Sequence, residues 1–557
     1  MSLKIKYIDV PQGVQEAARA EGPGQPFSEA DSLISGVQDA PFATLEPQGW
    51  PLDGKRQLLA DDPEDFWWST QRSDENGDFQ DPPVVILQLA APCRATGLSF
   101  TFWPSAGQWC SKLRVSWLAG NRMLAQTVAY PDGPRWTLQQ TVEDFDKVRI
   151  ELLATNIAGQ FAKISHIIIG QTLWFDKDRI TAVEMVNEID PTLSQLTVDT
   201  MTVTLRDTAG LTLAPQENQR VELYRGETLL AVQYITQSQR QSKWCYRLHC
   251  QSAVGLLEDT YLGGLFDAVP AAEVLGQILG QTAYELDPFF AEKTVTGYLP
   301  VCTRRQALQQ VAFAIGGVVT TQGSGRIRIV PLAETTSHKF LKSQMFTGGT
   351  VETASRIARV EVVSHGYTPS GEETVLLDGE QVNGQDVLFT WDAPCHSYGI
   401  TGGSITGSGA NWVTVTAQGP VRLTGKKYIH STQCHSKRDP GAAPQEQNNV
   451  LAVEDATLVH RGNVQQVLQR LYDISRLRQT LSRDAVISGQ RAGQKVAADS
   501  PWEGQIRGYI TSMESRLTPT GHTAAVKIIG AEAPAETAVM YAGELYAADK
   551  EVLYGCI

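Results

Sequence analysis

The chain has 557 residues, with 42% hydrophobic and 19% charged side chains and a formal net charge of -14. That length predicts roughly three to five domains, and the acidic balance argues against sequence-independent phosphate binding, which needs clustered Lys and Arg. Eight Cys without a repeated CxxC argue against a disulfide scaffold. No apolar leader follows Met1 and no apolar run reaches about 18 residues, so synthesis in a cytoplasm, without export by a signal peptide or membrane spanning, is expected.

In chain order, residues 1–45 open with "KIKYIDV", a predicted strand, and become rich in Gly, Pro and Ala, which predicts an extended arm with little core of its own. Residues 46–172 are rich in Trp and hold the apolar or alternating runs "PPVVILQLA", "ATGLSFTFW", "KLRVSWLAG" and "KVRIELLAT" between turn residues, the spacing of a β-sandwich, closed by one strand in "AKISHIIIGQTLWF". Residues 173–265 alternate again: Leu196, Val198, Met201, Val203 and Leu205 form one apolar set, and a meander with an Arg-Gly turn follows, predicting a small barrel.

Residues 266–335 hold two predicted helices. "VPAAEVLGQILGQ" presents Ala271, Val274, Leu275, Ile278 and Leu279 on one face. "TRRQALQQVAFAIGG" starts at Thr303 as N-cap, places Leu308, Val311, Ala312 and Ile315 on one face, and stops at Gly316-Gly317. Val318–Thr321 then pairs with Arg326–Val330 across Gln-Gly-Ser-Gly. Residues 336–450 read as β and loop. From 451 to 535 a helix over 463–482, with Asn463 as N-cap and Leu481 in its apolar stripe, precedes three returning strands; residues 536–557 read as a second arm.

Few residues suggest chemistry. Arg304 and Arg305 could clamp a phosphate, but cations at a helix N-terminus oppose the macrodipole, so a solvated or intersubunit role is favoured. "GGSITGSG" lacks the Gly-Lys-Ser/Thr of a phosphate loop and precedes a strand. Cys395, His396, His430, Cys434 and His435 lack zinc-ligand spacing, and "DENGD" lacks the downstream Glu of a calcium loop. Trp67, Trp68, Trp103 and Trp109 could stack on sugar rings or fill a sandwich core. No hydrolase or protease signature stands out. The chain is therefore expected to be no enzyme, with no catalytic, metal-binding or cofactor-binding residue.

Two segments resemble known families. The order "FWWSTQRSD", "DPPVVILQLAAPCRATGLSF", "KLRVSWLAGNRMLAQTVAYPDGPRWTLQQ", "KVRIELLATN", "AKISHIIIG" resembles a discoidin-like (factor 5/8 C-type) β-sandwich, a family whose end loops often bind glycans or lipid headgroups. The resemblance puts Trp103 and Trp109 in a ligand-side loop. From about 173 to 535, "ITAVEMVNEIDPTLSQLTVDTMTVTLRD", "VELYRGETLLAVQYI", "CQSAVGLLEDTYLGGLF", the stretch "GYLPVCTRRQALQQVAFAIGGVVTTQGSGRIRIVP" and "ATLVHRGNVQQVLQRLYDISRLRQTL" resemble a tailed-phage or prophage tail (baseplate) hub. The implied fold is mainly β with α+β inserts: a discoidin-like sandwich, a first hub barrel over 173–265, a helix-hairpin domain over 266–335, a second hub barrel over 336–450, and a helix with returning strands over 451–535. The implied function is structural: a homotrimer forming a pseudo-hexameric ring in the virion tail that joins the sixfold tube or distal tail protein to a threefold spike or tip and lets DNA pass. Arg304 and Arg305 then become intersubunit candidates. The alternative is an adhesin binding host cell-wall glycan through the sandwich. Sequence-specific nucleic-acid and membrane partners are not expected.

Overall fold

The structure is a computed structural model, and it describes residues 3–11, 13–25, 28, 30–35, 67–103, 107–206, 215–502, 504–519 and 521–533. The chain divides into two compact units, one of residues 1–181 and 202–250, the other of residues 182–201 and 251–557. The arm expected over 536–557 and residues 36–66 lie outside the described residues.

In the first unit, "KIKYIDV" is not an arm. Leu3–Pro11 lies between Thr172–Phe175 and Gln219–Arg225, antiparallel to both, with Ile5 opposite Phe175 on one side and Leu223 on the other. The alternation explains this place: Leu3, Ile5 and Tyr7 are buried, while Lys4 and Lys6 pair with Glu227 and Glu222. The sheet continues through Thr228–Ser242 and Cys245–Gln251 to Thr200–Arg206. The Arg-Gly turn sits at Gly226, with φ 63°, and Met201, Val203 and Leu205 point into the core.

The sandwich is built on a sheet ordered Arg19–Glu21, Val84–Thr101, Arg135–Thr155, Cys110–Ala119, Arg122–Ala129, with His166–Ile169 also on Val84–Thr101 and a separate pair, Trp67–Arg72 with Phe161–Ile164. Trp67, Trp117, Phe100, Phe102, Phe145 and their aliphatic neighbours fill its core. Trp117 meets Phe145 edge to face at 4.6 Å. "AKISHIIIGQTLWF" does not form the single expected strand. It breaks at Ser165, whose hydroxyl donates to the Phe102 carbonyl at 2.5 Å, and at Gly170, whose φ is +94°. Its last piece, Thr172–Phe175, belongs to the other sheet.

Asp9 joins these two sheets. Its carboxylate accepts from the N–H of Thr96 at 2.9 Å, from the Thr96 hydroxyl, and from the N–H of Gln171 at 2.5 Å. A Cβ on Gly170 would lie 2.1 Å from Asp9 Oδ1, so glycine is required there both for its positive φ and for this approach. Burial raises the Asp9 carboxyl above its ordinary pKa, against the lowering effect of these hydrogen bonds.

In the second unit, both helices of the helix-hairpin segment form: Ala271–Leu279 and Arg304–Ile315. Their named apolar residues are buried. Thr303 and Gln306 make a reciprocal capping box, and Gly316 ends the second helix in the left-handed region at φ 84°. Gly317–Thr320 pairs antiparallel with Ile327–Pro331, and Tyr284–Leu286 runs parallel to Ile327–Pro331.

The expected division at residue 450 is not where the strands divide. His338–Phe340 pairs with Lys495–Asp499 and Thr350–Thr353 with Gln479–Val486, so both join the strands that return after residue 450, Gln505–Leu517 and His522–Ala533 among them. Residues 359–438 instead form a long ribbon of Arg359–Asn383 against Gln418–Arg438, capped by the three-stranded sheet Val387–Thr390, Trp412–Thr416, Ser404–Ser408. Val382, Val413, Val415, Val421 and Leu423 form a small core at that tip. The helix predicted over 463–482 stops at Ser475, and Leu481 is a buried strand residue opposite Ile528. Asn463 occupies the N-cap position without capping: its Oδ1 accepts from the His460 N–H and its Nδ2 donates to carbonyls of Leu458 and Ala314.

Candidate functional site

The two Trp residues flanking the loop singled out in the sequence are engaged by their own chain. Trp103 is 1% exposed and meets Trp68 edge to face at 6.0 Å. The chain is clamped at its base, where Trp103 and Gln108 exchange backbone hydrogen bonds of 3.0 and 3.1 Å. Lys163, also buried, lies over the Trp68 ring at 4.5 Å and donates to Gln108 Oε1 at 2.5 Å. Trp109 is half-buried against the core and donates its indole N–H to the Pro131 carbonyl at 3.1 Å. A sugar ring needs an open aromatic face; Trp103 offers none, which corrects its assignment to a ligand loop. In "DENGD", Asp74 Oδ1 accepts from the N–H groups of Asn76 and Asp78 at 2.8 and 3.0 Å, a turn rather than the loop of a cation site.

Arg304 and Arg305 are also spoken for within their own chain. Their backbone N–H groups donate to the Asp259 and Leu257 carbonyls, and Gln306 N–H goes to Thr303 Oγ1, so the first turn of the helix offers no free donors for an anion. Arg305 Nη1 lies 2.5 Å from Glu258 Oε1, and Arg304 reaches the Leu279 carbonyl at 3.5 Å. Because Arg305 and Glu258 are 33% and 57% exposed, solvent screening keeps their pair weak; Arg305→Ala is expected to shift stability by less than about 1 kcal/mol, measured by denaturant unfolding, and to leave the mass of any oligomer unchanged.

The foot of the long ribbon carries a cleft of about 370 Å³ lined by Phe266, Asp267, Thr296, His365, Tyr367 and Tyr428, among others. Pairing of Tyr367 with His430 on the two ribbon strands places their rings face to face at 4.7 Å, and His365 stacks on His430 at 5.2 Å. His365 Nε2 lies 2.9 Å from the Glu454 carbonyl, an acceptor only, so it is the donor there. In the neutral ring Nδ1 then accepts from His430 Nε2 at 2.9 Å. Burial, with His430 adding to it, lowers the His365 pKa, while burial raises Tyr367 to about 12. Among the described residues, no hydroxyl or thiol nucleophile is hydrogen-bonded to either imidazole. His435 instead bonds Ser364 at 3.0 Å and His396 bonds Ser397 at 3.0 Å, so the His and Cys residues weighed as zinc ligands do not converge, and no group of three metal-ligating side chains occurs among the described residues. His365 and Asp9 were invisible as site residues in the sequence, because their partners lie on strands distant in the chain.

No family model matches the chain, and no curated protein sequence matches it. Among solved structures it is similar to the 43 kDa tail protein of prophage MuSo2 from Shewanella oneidensis, at 10% identity over 65% of this chain and 96% of that one, with a TM-score of 0.40. It is similar to the tail protein from Neisseria meningitidis MC58, at 11% identity over 64% of this chain and 93% of that one, TM-score 0.40. The family 32 carbohydrate-binding module of NanJ from C. perfringens, solved with galactose, is similar at 13% identity over 31% of this chain and 99% of that one, TM-score 0.19. Over about two thirds of its length, then, the chain is similar to tail proteins.

Proposed function

We propose that the chain is a structural, non-enzymatic component of a phage-type tail: a hub that assembles as a homotrimer, joins the tail tube or distal tail protein to a central spike or tip, and leaves a passage for DNA. The observation that carries this reading is the strand edge each unit leaves. Thr172–Phe175 in the first unit and Thr350–Thr353 in the second are edge strands, each four residues long and paired on one side only among the described residues. Trp174, 51% exposed, lies on the first of these strands, and Phe346, 50% exposed, lies just before the second. Unmet strand edges beside exposed aromatic rings are surfaces on which a neighbouring chain adds. Three such chains closing head to tail make a ring. The acidic excess of the chain fits a lumen that repels passing DNA at short range.

Native mass measurement tests this. The expected species has three times the 60.9 kDa chain mass; a monodisperse monomer at high concentration overturns the ring. The glycan-adhesin alternative gains no support from Trp103, which is buried.

A further inference from the structure

A second cleft in the second unit, of about 230 Å³, is lined by Val318, Gln322, Arg328, Val330, Arg491 and Gln494, with a few neighbours. Its two arginines reach it from distant parts of the chain. Arg328 sits on the strand Ile327–Pro331, and Arg491 in the turn before Lys495–Asp499. Both guanidinium groups converge on one neutral atom, the Gln322 carbonyl oxygen, which accepts from Arg328 Nη2 at 3.0 Å and Arg491 Nη1 at 3.3 Å. The seat is fixed around them. The Gln322 side chain accepts from the Ala492 N–H at 3.1 Å, and the Gln494 side chain accepts from the Arg491 N–H at 3.0 Å. Arg491 lies over Gly323, at φ +66°, where a Cβ would stand 2.5 Å from its Nη2.

The charges here are unbalanced. Neither arginine forms an ion pair with any described carboxylate. Glu285 stands opposite Arg328 on the neighbouring strand, but it is exposed and makes no ion pair with it. Lys495 donates to the backbone carbonyl of Glu334, not to its carboxylate. The Nε of Arg328 is buried with no hydrogen-bond partner, and a buried N–H of a charged group left unmet is costly. Burial, and secondarily the charge of Arg328, lower the pKa of Arg491. Two like charges held in one half-buried cleft, with a donor to spare, are the complement of an oxyanion, whose paired oxygens match the guanidinium fork.

We propose that Arg328 and Arg491 form an oxyanion-binding site, taking a phosphate or carboxylate group on the guanidinium N–H donors that the Gln322 carbonyl leaves free. The inference does not depend on the tail reading. Its test uses the full chain, with inorganic phosphate and acetate titrated separately at constant ionic strength against chloride. A saturable rise of a few degrees in the unfolding temperature is expected for the wild type and is absent in Arg328→Gln and Arg491→Gln. A rise with phosphate alone assigns a phosphate-type ligand; a rise with acetate alone assigns a carboxylate. In parallel, phenylglyoxal labelling of the wild type read by peptide mass spectrometry is expected to show the same anion slowing modification of Arg328 and Arg491 at least several-fold more than that of exposed Arg326, a readout that holds if either variant fails to fold. No saturable shift with either anion, an equal shift in both variants, or no selective protection overturns the site.

Discussion

A chain lacking residues 1–11 is expected to lose the fold of its first unit, and Tyr7→Ala to destabilise that unit by about 3–5 kcal/mol, the usual cost of truncating a buried aromatic side chain. The strand Leu3–Pro11 is internal, so its removal exposes the edges of both Thr172–Phe175 and Gln219–Arg225 and uncovers the core under Leu3, Ile5 and Tyr7. It also removes Asp9, which ties that sheet to Thr96 and Gln171. Tyr7 adds a polar contribution. Its hydroxyl donates to Gln219 Oε1 at 2.5 Å, that oxygen also accepts from the Gln216 N–H at 2.8 Å, and Gln219 Nε2 donates to the Asp9 carbonyl at 2.6 Å. Gln219 is fully buried, so the alanine variant leaves a weakened polar network in a dry site. Hydrogen exchange of the Gln219–Arg225 amides is the direct measure. Faster exchange there in both variants is expected, and unchanged protection in the truncated chain would show that the first strand is an arm after all.

What was legible in the sequence was local. The helix Arg304–Ile315 declares itself through the Thr303/Gln306 capping box, a 3.6-residue apolar period and a glycine stop, all within one segment. The alternation of the meander between Gln219 and Gln251 is local in the same way, because its strands are joined by short turns. What was missed needed long-range pairing. Nothing within "KIKYIDV" says that its partner is Gln219–Arg225, since alternation fixes which face is buried and not which strand is next to it. The helix that stops at Ser475 carries its apolar stripe past its end because Leu481 serves a strand in nearly the same phase. Trp103 was ambiguous for a different reason: the same large amphipathic ring serves a ligand face or a core, and only the approach of Trp68 decides. The overall class, mainly β with helix-hairpin insertions, survives these errors because turn residues and alternation recur along the whole chain.

Asp199→Asn is expected to make the second unit more stable than the wild type at neutral pH but not in acid. Asp199 is 6% exposed, and burial raises its pKa from 3.8 to about 6 against the lowering effect of its hydrogen bonds. Those partners are the Asn187 side chain, the Glu188 N–H at 3.2 Å and the Thr321 hydroxyl at 3.4 Å, while the Glu188 charge adds to the rise. The folded chain therefore holds this proton more tightly than the unfolded one. Its contribution to stability is complete below pH 4 and is lost as pH rises through about 6. At about 1.4 kcal/mol for each pKa unit, the loss is roughly 3 kcal/mol. Asparagine keeps the shape and has no charge to desolvate, so comparing the two proteins cancels the titration of all other groups. Denaturant unfolding at pH 4, 5, 6 and 7 checks the sign. The expected result is a gap in favour of asparagine that opens between pH 4 and pH 7; a gap constant with pH would mean that Asp199 ionises in the folded chain as it does in the unfolded one.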